Sequence, residues 1–152
     1  STVEVPNFQH LLKCSESLSN VQLFPIHFLT PTTFKQDKRY VIFPQESLIL
    51  QSLISRWNVS FPEALMDDED AFQALLRGIH IVDYNLHTTR YPMKQVRLPA
   101  FQGRISIETR LPAPMMALWT TLYSFAPYAG IGVKTTLGMG GVSMMKASNL
   151  PV

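Results

Sequence analysis

The sequence predicts an α+β domain of the ferredoxin-like (RRM-like) class, with the order βαββαβ, a four-stranded antiparallel sheet and helices on one face. Residues 96–109 alternate apolar and polar side chains, which is the period of a half-buried strand. Residues 45–57 and 113–126 instead repeat apolar side chains at helical spacing, and each has a proline in or just before its first turn. With 152 residues, the chain has room for one such domain.

The first strand is expected at residues 21–30, after a short helix that begins at 8–12. This run is apolar and short and stops before Pro31, which predicts a strand buried on both faces. His27 lies within the run, and we therefore expect it to be a core residue. A loop rich in Thr, Lys and Pro should follow over residues 31–44.

The second half of the pattern begins with a shorter helix at 67–76, whose first turn carries acids that suit the helix dipole. A long strand at 79–90 should pair antiparallel with the alternating strand at 96–109. One face of that alternating strand presents Phe101, Gly103, Ile105 and Ile107. The helix at 113–126 leads into a glycine-rich loop, and the last strand is expected at 139–146.

The domain boundaries follow from this order of elements. We expect a ferredoxin-like domain over residues 21–147 and a tail over 148–152. Residues 1–20 are interpreted as a lead-in, the remnant of a linker from a missing first domain. The chain starts at Ser1 without a methionine, which agrees with the expectation that part of the natural protein is absent.

Charge is distributed unevenly along the chain. Residues 46–83 carry seven acids and two bases, a net charge of −5, whereas residues 90–152 carry seven bases and one acid, a net charge of +6. The basic segment favours a polyanionic partner such as nucleic acid. Cys14 is the only cysteine, so an intrachain disulfide is excluded and a reducing, cytoplasmic location is expected. No apolar run reaches the length of a membrane span.

The glycine-rich loop is the strongest functional signal. Five of the seven glycines fall within residues 130–141, around the sequence Lys134-Thr-Thr. Glycine permits positive φ and close backbone approach, and successive amides can form a concavity that binds anions. A Walker A loop is excluded because Val133 precedes the lysine, and a dinucleotide fingerprint is excluded because Thr135 occupies the position of its third glycine. The loop is therefore expected to hold a phosphate backbone.

Residues 130–140, Gly-Ile-Gly-Val-Lys-Thr-Thr-Leu-Gly-Met-Gly, resemble the C-terminal signature of the CRISPR repeat-processing endoribonucleases of the repeat-associated mysterious protein (RAMP) superfamily. Residues 28–34, 50–58 and 98–107 are similar, in order and spacing, to the family's first strand and turn, first helix and third strand. The resemblance covers residues 21–146.

The resemblance implies a protein with two tandem ferredoxin-like domains that cleaves CRISPR repeat RNA without a metal or other cofactor. In such cleavage the 2′-hydroxyl attacks the adjacent phosphate, leaving a 2′,3′-cyclic phosphate and a 5′-hydroxyl. This chain would be the C-terminal RNA-binding half, with CRISPR repeat RNA as its partner. The resemblance also implies an RNA-backbone contact by seven residues of the glycine-rich loop: Gly130, Gly132, Lys134, Thr135, Thr136, Gly138 and Gly140.

Two other functions fit the residues. A non-catalytic RAMP subunit would bind guide RNA within a CRISPR effector complex, and a small-anion-binding metabolic domain would use the loop alone. Association with effector subunits and homodimerisation are both left open, while a membrane partner is not expected.

The catalytic residues are not identified by the sequence, because in many members of the family the catalytic histidine lies in the first domain. His87, in a polar strand end, is the fallback candidate for general acid–base chemistry. His80 lies seven residues before it and is expected on the opposite face of the strand. His10 is isolated. No group of residues has metal-ligand spacing.

Further RNA contacts are expected from the basic and aromatic residues of the second half. Arg97 and Arg104 are candidates for contacts to the RNA backbone. Tyr91, Phe101 and Tyr128 have side chains that stack on unpaired bases, although Phe101 is expected to pack in the core.

Overall fold

The computed structural model describes residues 7–93 and 96–144. Its main sheet has four antiparallel strands in the order β4-β5-β1-β6, which is the order that the βαββαβ pattern of a ferredoxin-like domain requires. The elements are α1 (Phe8–Glu16), β1 (Leu23–Thr32), β2 (Phe34–Gln36), β3 (Arg39–Val41), α2 (Glu46–Ser60), α3 (Glu69–Gly78), β4 (Ile79–Met93), β5 (Val96–Thr109), α4 (Ala113–Ala129) and β6 (Val142–Ser143). The predicted fold class is confirmed.

The core lies between one face of the sheet and the helices. Phe24 in β1 is fully buried and meets Trp119 in α4 edge-on at 5.8 Å between ring centroids. Trp57 in α2 packs in the same manner on Phe125 in α4 at 5.4 Å. Large aromatic rings contribute most of the buried area in such a core, and their edge-to-face geometry adds to it.

Strand β1 is buried on one face only, so the expectation of a strand buried on both faces is wrong. Phe24, Ile26 and Phe28 face the helices, whereas Pro25 and His27 point to the other side and are half-buried. The expectation that His27 belongs to the core is therefore also wrong. An apolar run of this length does not show that its polar member faces outward.

The segment 31–44, predicted as a loop, contains the hairpin of β2 and β3. Its two-residue turn consists of Asp37 and Lys38, which both have positive φ, at 51° and 65°. Turns of this type usually contain glycine or asparagine, so Asp-Lys gave no hairpin signal in the sequence.

A β-bulge in β4 changes which side chains share a face. Ile81 pairs with Ile107 and Asp83 pairs with Ser106, which leaves Val82 as an extra residue. The bulge reverses the alternation beyond it. His80 (opposite Glu108) and His87 (opposite Gln102) consequently lie on the same face of the sheet, and the prediction that they face opposite sides is wrong.

Helix α1 lies within the predicted lead-in and packs on α4. Leu11 is fully buried, and the Ser15 hydroxyl lies 2.5 Å from that of Thr120 and accepts a hydrogen bond from that of Thr121 at 3.2 Å. The predicted domain boundaries stay a prediction.

The last strand is shorter than predicted within the described residues. Strand β6 covers Val142–Ser143, and Met139 belongs to the preceding loop. The predicted strand end at Lys146 and the predicted tail 148–152 lie outside the described residues, as do residues 1–6 of the lead-in. Among the helices that the structure describes, none has the length and apolar character to cross a membrane.

Candidate nucleic-acid interface

The glycine-rich loop, residues 130–141, connects α4 to the edge strand β6. The Gly130 N–H caps α4 by donating to the Ala126 carbonyl at 2.9 Å. The loop then lies against the end of β1, where Val133 N–H donates to Thr33 O and Gly140 N–H donates to Pro31 O, both at 3.0 Å. Positive φ occurs at Gly130, Gly132, Gly138 and Gly140.

Two of these glycines are required by the close approach of backbone segments. A Cβ at Gly132 would lie 2.5 Å from the Thr33 carbonyl oxygen, and one at Gly140 would lie 2.1 Å from that of Ile131. Neither contact can be relieved by moving a flexible side chain, because the opposing atoms are backbone. The glycines therefore allow the loop to fold tightly on itself and on β1, which fixes the position of the residues between them.

The residues between them present a row of free amides. Lys134 is in the left-handed conformation (φ 57°, ψ 35°), and Thr135 starts a short 3-10 turn that ends at Leu137. Within residues 7–93 and 96–144, the N–H groups of Lys134, Thr135 and Thr136 have no hydrogen-bond acceptor, whereas those of Leu137 and Gly138 donate to carbonyls inside the turn. A left-handed residue followed by a right-handed one directs three successive amides into one concavity, an arrangement that binds anions. We refer to these three residues as the amide nest.

Helix α2 binds the loop beside the nest. Ser52 Oγ accepts from Gly132 N–H at 2.9 Å, and Arg56, one turn further along α2, donates from Nη2 to Gly132 O and from Nη1 to Thr135 Oγ1 at 2.8 Å. Burial lowers the pKa of Arg56 below its ordinary value. The sequence reasoning missed this residue because a single arginine on an amphipathic helix carries no signal for a partner far along the chain.

A groove of about 630 Å³ runs between α2, β2 and the loop. The polar groups on its wall include Lys35, Gln51, Arg56 and Thr136, and Val59 contributes apolar surface. The groove thus borders the nest on the side of the helices.

Tyr91 binds the loop at Leu137, after the nest. Its hydroxyl donates to the Leu137 carbonyl, and its ring packs against a small buried cluster of Leu98, Ala100 and Met139. Tyr91 therefore has a structural partner in the loop.

The other predicted stacking residues occupy different environments. Phe101 is buried in the main core, as expected, and Tyr128 packs against that core.

A row of polar side chains crosses the face of the sheet that lies away from the helices. Asn85, Arg104, His27 and Ser143 lie directly opposite one another on β4, β5, β1 and β6 and form one row across all four strands. His87 is exposed on the same face, beside this row.

The two predicted arginine contacts are not brought together. Arg97 and Arg104 are both exposed, but seven residues separate them on β5, so they point to opposite faces and lie roughly 23 Å apart along the strand. Seven of the nine predicted RNA-backbone contacts thus share one loop, and the other two lie on the sheet.

The remaining ionisable candidates have local structural roles. Asp68 caps α3, since its carboxylate accepts from the N–H groups of Asp70 and Ala71. Cys14 Sγ lies 3.6 Å from His10 Nε2 on the solvent-facing side of α1. Among the described residues, no three His, Cys, Asp or Glu side chains are grouped closely enough to hold a metal ion.

Residues 26–142 match the family described as CRISPR-associated endoribonuclease Cas6. A Streptococcus thermophilus protein of that name is 35% identical over 134 residues, which are 88% of this chain and 55% of the relative. The solved Thermus thermophilus Cas6 has a TM-score of 0.70 and 25% identity, over 86% of this chain and 57% of its own. A Cas6 product complex has a TM-score of 0.74 and 24% identity, over 87% and 56%.

These matches confirm the family that the loop and its neighbouring segments resemble. The chain spans a little more than half the length of these relatives.

Proposed function

Because this chain belongs to the family of CRISPR-associated endoribonuclease Cas6, we propose that it is the C-terminal RNA-binding half of a metal-independent endoribonuclease. The enzyme would cleave CRISPR precursor RNA within its repeats to give guide RNAs. The observation that carries the proposal is the amide nest at Lys134, Thr135 and Thr136, which lies in the most specific motif of the resemblance. One solved protein of this fold is described as a Cas6 product complex, which agrees with a role in RNA processing.

The nest is suited to a phosphate group of the RNA backbone. Three successive N–H donors follow a left-handed residue and have no competing acceptors among the described residues, and the Lys134 side chain adds a positive charge. Such contacts position a nucleic acid but do not read its bases. Arg104, on the open face of the sheet, and Arg97, on β5, are proposed as additional backbone contacts.

Cleavage requires a base that takes the proton from the 2′-hydroxyl and an acid that protonates the leaving 5′-oxygen. His80 and His87 share one face, but their partners Glu108 and Gln102 are six residues apart, which places the two histidines roughly 20 Å apart along the strands. They cannot serve one phosphodiester together. As the family resemblance implies, the remaining half of the enzyme is expected to supply a catalytic histidine, and His87 is proposed as the first candidate within this chain.

RNA binding and cleavage can be measured in the same samples. Filter binding measures the affinity of the 152-residue chain, and of the full-length protein that contains it, for a labelled repeat RNA and for a scrambled RNA across a salt series. A gel of the same samples maps the ends of any cleavage products. Cleavage to a 2′,3′-cyclic phosphate by the full-length protein, with repeat-preferring binding by the chain, is expected. The absence of RNA binding by both would refute the proposal.

Protection of the repeat without cleavage would favour a non-catalytic guide-RNA-binding subunit of a CRISPR effector complex. We also propose that the protein associates with subunits of a CRISPR effector complex and with a second copy of itself. Light scattering of the same RNA complexes would test homodimerisation. Cleavage by the chain alone would move the active site into these residues, and His87→Ala would then be expected to abolish it.

A further inference from the structure

Arg56, on α2, binds two atoms of the loop that contains the amide nest. Its Nη1 donates to Thr135 Oγ1, its Nη2 donates to Gly132 O, and its Nε is buried without a partner among the described residues. These two bonds fix the planar guanidinium with its donors on loop atoms. Arginine has donors in a rigid fork and no acceptor, so both bonds have a defined direction.

The direction of the Arg56–Thr135 bond determines whether the Thr135 hydroxyl can still donate a hydrogen bond to a ligand. A threonine hydroxyl has one donor and two acceptor lone pairs. Since Arg56 cannot accept, the Thr135 oxygen uses an acceptor site for this bond and its own hydrogen stays available. Thr135 N–H is one of the three amides of the nest that have no acceptor in the described part of the chain, so the hydroxyl and the amide of the same residue can serve one ligand.

A donor that is itself hydrogen-bonded to a cation is a stronger donor, because polarisation passes along the chain of hydrogen bonds. The guanidinium also places a positive charge next to the nest. A hydrogen bond that such a group donates to a phosphate oxygen is charge-assisted and about twice as strong as a neutral one.

We propose that Arg56 is a positioning residue of the RNA site. It orients and polarises the Thr135 hydroxyl so that this group donates to the same RNA phosphate as the amide nest, while Arg56 itself does not touch the RNA. The inference rests on the proposed function and adds to it a residue on α2, remote in sequence from the glycine-rich loop.

The test is a double-mutant cycle in the full-length protein that contains this chain, measured as the Kd for a labelled repeat RNA across a salt series. Thr135→Val removes the hydroxyl and keeps the shape, Thr135→Ser keeps the hydroxyl, and Arg56→Gln removes the cation. Ser52→Ala is the matched control, because it removes a bond from α2 to the loop that does not involve Arg56, the one from Gly132 N–H, and leaves Thr135 untouched.

If Arg56 acts through the Thr135 hydroxyl, Thr135→Val should weaken RNA binding roughly tenfold, as expected for one lost hydrogen bond to a charged group. Arg56→Gln should weaken it by a similar factor, and the double variant should be no weaker than Thr135→Val alone. Thr135→Ser should bind like the wild type. The effects of Ser52→Ala and Thr135→Val on the Kd should multiply, since the two substitutions act through different atoms.

The salt dependence separates positioning from direct contact. Each phosphate contact that is lost lowers the slope of log K against log salt by about 0.7 on single-stranded RNA. Arg56→Gln should leave the slope unchanged, whereas Lys134→Ala should lower it. A lower slope for Arg56→Gln would overturn the proposal, because Arg56 would then contact a phosphate itself.

Multiplicative effects of Arg56→Gln and Thr135→Val, or wild-type affinity of Arg56→Gln, would also overturn it. Circular dichroism melting checks that each variant is folded, and a misfolded Arg56→Gln is replaced by Arg56→Lys, for which the same non-additivity is expected. If Lys134→Ala weakens binding while the cycle shows no coupling, the inference fails and the proposed function stands. If the wild-type protein does not bind RNA, both fail.

Discussion

Replacing Gly140 by alanine tests whether backbone contacts hold the glycine-rich loop in place. Gly140 has φ +71°, and an added Cβ would lie 2.1 Å from the Ile131 carbonyl oxygen. The same two residues are joined by a hydrogen bond from Ile131 N–H to Gly140 O at 2.9 Å. The methyl group therefore cannot be accommodated without moving one backbone segment away from the other.

The expected cost has two parts. A left-handed conformation costs a residue with a Cβ about 1–2 kcal/mol, and forcing an additional methyl group into packed structure costs about 1–3 kcal/mol. Gly138 is the matched control, because its φ is +94° but an added Cβ would meet only the Tyr91 hydroxyl, at 3.7 Å. Gly138→Ala should therefore show the conformational cost alone.

Equilibrium urea unfolding of the 152-residue chain measures both variants. We expect Gly140→Ala to lose about 2–5 kcal/mol of unfolding free energy and Gly138→Ala about 1–2 kcal/mol. At roughly 2–4 °C per kcal/mol for a domain of this size, the two melting temperatures should also differ measurably. Equal losses in the two variants would refute the close approach of Gly140 to Ile131.

Three further changes test the site and the fold. Lys134→Ala should weaken RNA binding and lower the salt slope by about 0.7, because one phosphate contact is lost; an unchanged slope in filter binding would show that Lys134 does not contact RNA. Asp68→Ala should cost about 1 kcal/mol in urea unfolding, because it removes the cap of α3, and a wild-type value would contradict that role. Burial raises the pKa of the Tyr123 phenol, which donates to the Pro25 carbonyl at 2.6 Å. The folded state therefore holds this proton more tightly than the unfolded state. Stability should be intact below pH about 10 and should fall as the pH rises above it, by at most about 1.4 kcal/mol per pH unit. Tyr123→Phe should remove this alkaline component in a pH series of unfolding, and an unchanged pH profile would contradict it.

Patterns that repeat along the chain predicted most of the fold. The alternation in β5 identified the face that packs against the helices, where Phe101, Ile105 and Ile107 are buried. Helical spacing located α2 and α4 to within a few residues. Such patterns are readable in one sequence because the period of the side chains depends on the local backbone conformation.

Breaks in those patterns were not predicted. Val82 adds one residue to β4 and thereby moves His80 to the face of His87, although nothing in the apolar and polar order marks the bulge. The Asp37-Lys38 turn likewise formed a hairpin without the residues that usually signal one. In both cases the pairing with a neighbouring strand selected the conformation.

The sequence by itself determined the fold class, the family and the loop that contains the candidate site, because glycine content and the Lys134-Thr-Thr motif are local properties. Only the tertiary structure decided which atoms of that loop are available to a ligand. Among the described residues, the amides of Lys134, Thr135 and Thr136 have no acceptor, whereas polar backbone groups of Gly132, Val133 and Gly140 bond to α2 and to the end of β1. The partner of Thr135 is Arg56, 79 residues away, and contacts across such a separation arise only when the folded core brings the two segments together.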